Sequence, residues 1–174
     1  MAEPMRLHSV DIPIALGLAD APGAKFADLA QLLGISVSAA FQGVRRLELA
    51  GLVRPEVRHV NWLALREFLA HGLRYAFPAR PGAEMRGVPT SHAAPPLVDR
   101  ILSDVVFVWP DDAGPKVGRA IAPLYRQASQ LPARDPRLYE LVALADALRV
   151  GRPRERKLAL EAFDARLGPA ATVE

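Results

Sequence analysis

The chain has no cysteine in its 174 residues, which excludes disulfide bonds, cysteine-ligated zinc and thiol catalysis. It also lacks any run of 18 or more apolar residues, the length that a membrane-crossing helix needs. The opening stretch "MAEPMRLHSVDIPIALGLAD" puts Asp11 and Pro13 where a secretory signal requires an unbroken apolar core. A cytoplasmic protein with no membrane association is the expectation. A large charge surplus is missing too: 22 Lys and Arg against 19 Asp and Glu leave a formal net charge of +3. A surplus that small suits a nucleic-acid partner only where the basic residues are gathered locally.

The residue patterns of catalysis are equally scarce. No glycine-rich loop follows a strand to cradle a phosphate. His8, His59 and His71 lie far apart, and no acid–histidine spacing matches a metal site. In "PTSHAAPP", Ser91 stands beside His92. Sequence neighbours rarely form a nucleophile and its base, because the base must turn back onto the serine from elsewhere in the fold. Asp111 and Asp112 read as turn residues. The expectation is a protein that is not an enzyme and that carries no metal or cofactor.

What the chain does have is 51% hydrophobic residues, enough to form a core, arranged at helical spacing through its first half. "SVDIPIALGLAD" (9–20) predicts a helix with Ser9 as N-cap and Ile12, Leu16 and Ala19 on one face. "FADLAQLL" (26–33) predicts a short second helix, with Phe26, Leu29, Ala30 and Leu33 spaced i, i+3, i+4, i+7, closed by Gly34. After Ser36 as cap, a third helix is predicted from Val37 to Ala50, stopping at Gly51. At 100° per residue its buried seam is Val37, Ala40, Phe41, Val44 and Leu47, with Ser38, Gln42, Arg45 and Leu49 opposite and Ala39 and Arg46 to one side. Gly43 inside this helix costs about 1 kcal/mol of helix stability. Leu52–Val53 and His59–Asn61 read as two short strands around a turn at 55–58, and Asn61 caps a fourth helix, "WLALREFLAHGLRYAF".

The stretch "FADLAQLLGISVSAAFQGVRRLELAGLVRPE" resembles the winged helix-turn-helix of bacterial transcription regulators such as the MarR, ArsR and GntR families. In those families a short helix with the pattern LAxxLGIS braces a reading helix that ends in an RLExxGLV-like segment and runs into the wing; the segment stands here as "RLELAGLV". The resemblance covers about 70 of the 174 residues. It implies binding to double-stranded DNA, with Val37 to Ala50 in the major groove, where small side chains near a helix start allow close approach to base edges. Gln42 would face adenine, and Arg45 and Arg46 a guanine or a phosphate. Ser36, Ser38 and Ala39 would lie at the phosphate-facing helix start, and Arg54 and Arg58 on the wing. Regulators of this class act as homodimers on paired half-sites, for which the first helix and the last two helices are the natural surfaces. The competing reading is a winged helix that docks on a protein instead of DNA.

The second half carries weaker signals. "PARPGAEMRGVPTSHAAPP" reads as a connector rich in proline, glycine and alanine. "VVFVW" (105–109) and "KVGRAIAPL" (116–124) read as two strands of a β-hairpin across "PDDAGP". Asp135 caps and Pro136 opens a helix that Gly151 closes, and a last helix follows over "RPRERKLALEAFDARLG". The segment "RVGRPRERK" resembles a minor-groove AT-hook only in its "GRP", with Val150 where the hook has arginine. It reads as a helix junction whose Arg152 and Arg154 add to a positive field. The aromatic residues Tyr75, Phe77, Phe107, Trp109, Tyr125 and Tyr139 read mainly as core. The expected whole is an α+β, mainly helical chain: a winged helix over 1–78, a connector over 79–104, and a hairpin with two helices over 105–174. That last region would bind an effector or a partner protein, or form the dimer.

Overall fold

In the computed structural model, which describes residues 5–169, the chain is α+β and mainly helical. Residues 1–4 and 170–174, the outer ends of the expected first and last regions, lie outside the described part. The first half contains α1 (Asp11–Asp20), α2 (Phe26–Leu33), α3 (Val37–Leu49), the antiparallel strands β1 (Val53–Arg54) and β2 (His59–Val60), α4 (Trp62–His71) and α5 (Leu73–Ala76). Local chemistry accounts for most of these boundaries. Gly34 takes a left-handed φ of 70° after α2, the Ser36 hydroxyl accepts the Ala39 N–H at 3.0 Å to cap α3, and Asn61 Oδ1 accepts the Ala64 N–H at 3.4 Å to cap α4. Two expectations change. Ser9 caps nothing; instead Asp11 Oδ2, in the first turn of α1, accepts the His8 N–H at 2.8 Å. The single fourth helix is split at Gly72, where helix propensity is weakest.

The predicted connector is a structural strand. The second half runs β3 (Glu84–Thr90), β4 (Phe107–Pro110), β5 (Lys116–Ala120), α6 (Leu131–Arg134), α7 (Pro136–Val150) and α8 (Pro153–Leu167). β4 and β5 do not form the expected hairpin with each other. Both run antiparallel to β3, β4 along residues 87–90 and β5 along residues 84–87, and where they meet they pair parallel, Phe107 opposite Arg119. The three strands thus close on themselves and leave no long open edge. Closure brings Gly87 and Gly114 backbone to backbone: a Cβ on Gly114 would strike the main chain of Gly87, and one on Gly87 the main chain of Trp109. Proline and glycine in this stretch made it look like a linker, but glycine is what lets three short strands pass so close.

α7 is the centre of the molecule. Asp135 caps it by accepting the Arg137 and Leu138 N–H groups, as the sequence predicts, but every residue from Leu141 to Arg149 is buried, on all faces. Around it one apolar cluster joins α1, α3 and α4 to Trp109 of β4 and Phe163 of α8. The expected boundary at residue 78 is therefore not a boundary in the core. It follows that α1, buried from Asp11 to Leu18, and α7 are covered by their own chain and offer no face for dimerisation.

Two polar residues lie inside α7. Asp146, with no exposed surface, accepts Thr90 Oγ1 and Trp109 Nε1 on one carboxylate oxygen, both at 2.7 Å, and Arg149 Nη1 on the other at 2.7 Å. Arg149 in turn donates to the carbonyls of Phe77 and Ala122 at 2.8 and 3.0 Å. Tyr139, whose phenol is pushed up to about 12 by burial and by the neighbouring Glu140 charge, stays protonated and donates to the Pro89 carbonyl at 2.6 Å. Asp146→Ala leaves Arg149 charged, buried and unpaired. It is expected to cost about 3–5 kcal/mol in urea unfolding, and a loss under about 1 kcal/mol contradicts this account of the core.

Candidate nucleic-acid interface

α3 is fixed to the rest of the protein along one side. Ala40, Gly43, Val44 and Leu47 form its buried seam. Two expected members, Val37 and Phe41, are 52% and 43% exposed instead. Gly43 takes the inner place because α1 crosses there: a Cβ at this position would overlap the side chain of Ile14. The glycine that weakens α3 as an isolated helix is what allows the two helices to approach. Gly43→Ala should therefore destabilise despite alanine's higher helix propensity. Chemical denaturation of Gly43→Ala, Ile14→Ala and the double variant tests this, since Gly43→Ala should cost less in the Ile14→Ala background than in the parent.

The two adjacent arginines diverge. Arg46 turns back onto α1, donating Nε and Nη2 to the Asp11 carboxylate at 2.8 and 2.7 Å. The Arg46 side chain is 13% exposed and that of Asp11 not at all. These hydrogen bonds hold the guanidinium more firmly protonated than usual. The expected outward-facing role of Arg46 is thus replaced by an internal one, because the buried Asp11 requires a partner. Arg45 remains 57% exposed, with Nη1 at 2.7 Å from Glu48 Oε2 one turn on. The Glu48 side chain is only 10% exposed, so Arg45 is the solvent-facing partner of a half-buried pair.

The other expected site residues fall in two groups. Ser38 and Gln42 are exposed on the same outer side of α3 as Arg45, with Ala39 half-buried beside them. Ser36 uses its hydroxyl as the cap of α3. Arg54 is exposed on β1. Arg58, half-buried with a φ of 49° in the turn between β1 and β2, lays its guanidinium 4.9 Å from the centre of the Phe26 ring. Phe26 meets Phe41 of α3 edge-on with centroids 5.3 Å apart. A stacked cation of this sort contributes about 0.5–1 kcal/mol, and here it ties the β1–β2 turn to α2 and α3. Arg58 is therefore a positioning residue as it stands.

Sequence reasoning missed Asp11, Phe26 and Phe41 as parts of this arrangement. The available signal was a carboxylate set in the apolar run "DIPIALGL", which needs a cationic partner once buried. The exposed outer side of α3 also carries Val37, Phe41 and Leu49, the last 67% exposed. Its surface is small, polar and apolar in mixture, with Arg45 as its exposed cation. Among the described residues no group of acidic, histidine or cysteine side chains is placed to hold a metal ion, and no helix is long and apolar enough to cross a membrane. The chain matches no known family profile, no curated protein and no solved structure.

The divergence of the two arginines has a measurable consequence. Arg46→Ala should cost about 3–5 kcal/mol by stranding Asp11, whereas Arg45→Ala, which removes a half-exposed pair, should cost about 1 kcal/mol or less. Equal midpoints for the two variants in urea would contradict the internal role of Arg46.

Proposed function

We propose that this chain is a sequence-specific DNA-binding transcriptional regulator, acting as a repressor, in which α1 to β2 forms a winged helix-turn-helix. The observation that carries the reading is the mounting of α3. Asp11, Ile14 and Gly43 hold its inner side, while Ser38, Gln42 and Arg45 remain free on its outer side beside a two-stranded turn with Arg54 exposed. A rigidly held helix with short side chains at its start suits the width of the major groove. The free N–H groups at the start of α3, next to Ser36, Ser38 and Ala39, suit a phosphate. Gln42 matches the two-pronged edge of adenine, and Arg45 reaches a guanine or a phosphate once it leaves Glu48. The stacked Arg58 sets the angle of the wing, and Arg54 is the wing's free cation. Regulators built this way pair two half-sites through a homodimer.

A second reading has its own support. Val37, Phe41 and Leu49 on the outer side of α3 are large apolar groups in solvent, and such residues favour docking on a protein over entering a groove. The two readings separate on one measurement, the affinity for DNA upstream of the chain's own gene against a scrambled duplex at physiological salt. A regulator should prefer the former by at least about 10³-fold. Gln42→Ala with Arg45→Ala should reduce that affinity by roughly 30- to 10⁴-fold, at about 1–3 kcal/mol for each of the two contacts, with the chain still folded. Absence of any preference over the scrambled duplex overturns the DNA reading and leaves the protein-docking one.

A further inference from the structure

A dense run of exposed cations lies at the start of α8, apart from α3. Residues 152–157 carry Arg152, Arg154, Arg156 and Lys157 against Glu155 alone, four cations to one carboxylate, a surplus equal to the whole chain's +3. Charge over the rest of the chain sums to zero, so this segment carries a local positive excess. Arg152, Arg154 and Lys157 are exposed, and among the described residues none of the three has a carboxylate partner. Glu155 is already engaged: its carboxylate accepts the Arg152 N–H at 2.8 Å. Arg156 donates to the Gly151 carbonyl at 2.8 Å, which fixes the entry to the helix. The neighbouring cations are compensated, Arg66 by Asp164 at 2.6 Å and Arg100 by Glu161 at 3.8 Å. The start of α8 thus carries three exposed cations with no carboxylate partner among the described residues, and the helix adds its own partial positive charge there.

Two clefts, of about 420 and 410 Å³, flank this ridge. One lies between Arg100 and Ile101 and the start of α8, the other between Arg66 and the Arg156–Lys157 side. Their walls are mainly arginine, lysine and aliphatic side chains, with one glutamate in each, Glu155 and Glu161, both already engaged, and no aromatic residue. The centre of a protein–protein interface is depleted of charge and enriched in aromatic anchors, which this surface reverses. Guanidinium forks, by contrast, fit phosphate oxygens in pairs. α8 packs on α7 and α4, whereas α3 packs on α1 and α2, so the ridge and the outer side of α3 are separate surfaces.

We infer that the α8 ridge is a second nucleic-acid interface, one that holds the phosphodiester backbone of duplex DNA through Arg152, Arg154 and Lys157 without reading its sequence. This goes beyond the proposed role of α3, and it stands whether or not α3 reads bases. The test uses a random-sequence duplex of about 30 base pairs, long enough for a protein that spans several phosphates, with fluorescence anisotropy followed from low to physiological salt. It compares the full chain, the triple variant Arg152→Gln, Arg154→Gln, Lys157→Gln, and the double variant Gln42→Ala, Arg45→Ala.

The triple variant should bind the random duplex at least about tenfold more weakly. Its plot of log affinity against log salt should be flatter by about three, one unit for each phosphate it no longer neutralises. Lysine at 152 and 154 should retain most of the slope, and all variants should keep the parent's thermal midpoint, since the side chains are exposed. Parent-like affinity and slope in the triple variant overturn the inference. So does displacement of the duplex by poly-glutamate at equal charge concentration, which would mark the ridge as a seat for an acidic protein. If the double variant alone loses preference for a specific site, the role of α3 stands by itself. If only the triple variant loses random-duplex binding, the ridge stands by itself.

Discussion

The Asp146 carboxylate is the point on which the fold converges. A helix buried on every face gains from apolar packing all round, but packing alone does not decide its rotation or its register against its neighbours. A carboxylate with three donors at 2.7 Å does. Thr90 brings the end of β3, Trp109 brings β4, and Arg149 carries the constraint on to the end of α5 and to Ala122. Each donor is worth more inside the protein than in water, and each would be costly to leave unpaired. The closed three-stranded unit and the helical layers are thereby locked to one helix in one orientation.

The Asp11–Arg46 pair repeats that device on a smaller scale. Asp11 sits in an apolar helix that packs on α7, and its two bonds to Arg46 set the rotation of α3 about its own axis. Gly43 against Ile14 sets the distance between the same two helices. The outward side of α3 is thus a consequence of what is buried behind it. Ser38, Gln42 and Arg45 face solvent because Arg46, Gly43 and Leu47 are held inside. Under the proposed function, the precision of base recognition rests on a buried carboxylate behind the reading surface, because a reading helix must arrive with its rotation already settled.

Charge and shape are divided between two surfaces. α3 offers short side chains and one exposed cation, Arg45. The start of α8 offers bare positive charge and no fine shape. A net charge of only +3 gives the protein a weak overall field. The run at the start of α8 supplies a local excess, while Arg46, Arg66, Arg137 and Arg149 are paired with carboxylates elsewhere. The apolar Val37, Phe41 and Leu49 on α3 are what keeps a protein-docking role in contention for that helix.

Helix positions were legible in the sequence because they depend on short-range chemistry. Gly34, Ser36, Asn61, Asp135 and Pro136 act within one turn, and each end they mark is where the structure has it. What the sequence could not convey were relations between distant segments. The strand 84–90 looked like a linker because its glycine and proline are explained only by the strands that press against it. The 105–109 and 116–124 strands looked like a hairpin because a turn joins them, although each pairs mainly with β3. Arg45 and Arg46 are adjacent and chemically identical, so composition and helical period left both available to DNA. Only the position of Asp11, 35 residues before Arg46, separates them. Sequence alone determined most of the long helices and their ends, since propensity and capping are local, though not the break at Gly72 or the short α6. Tertiary structure decided which side chains are left facing solvent, since burial and ion pairing depend on partners that the chain brings together only when folded.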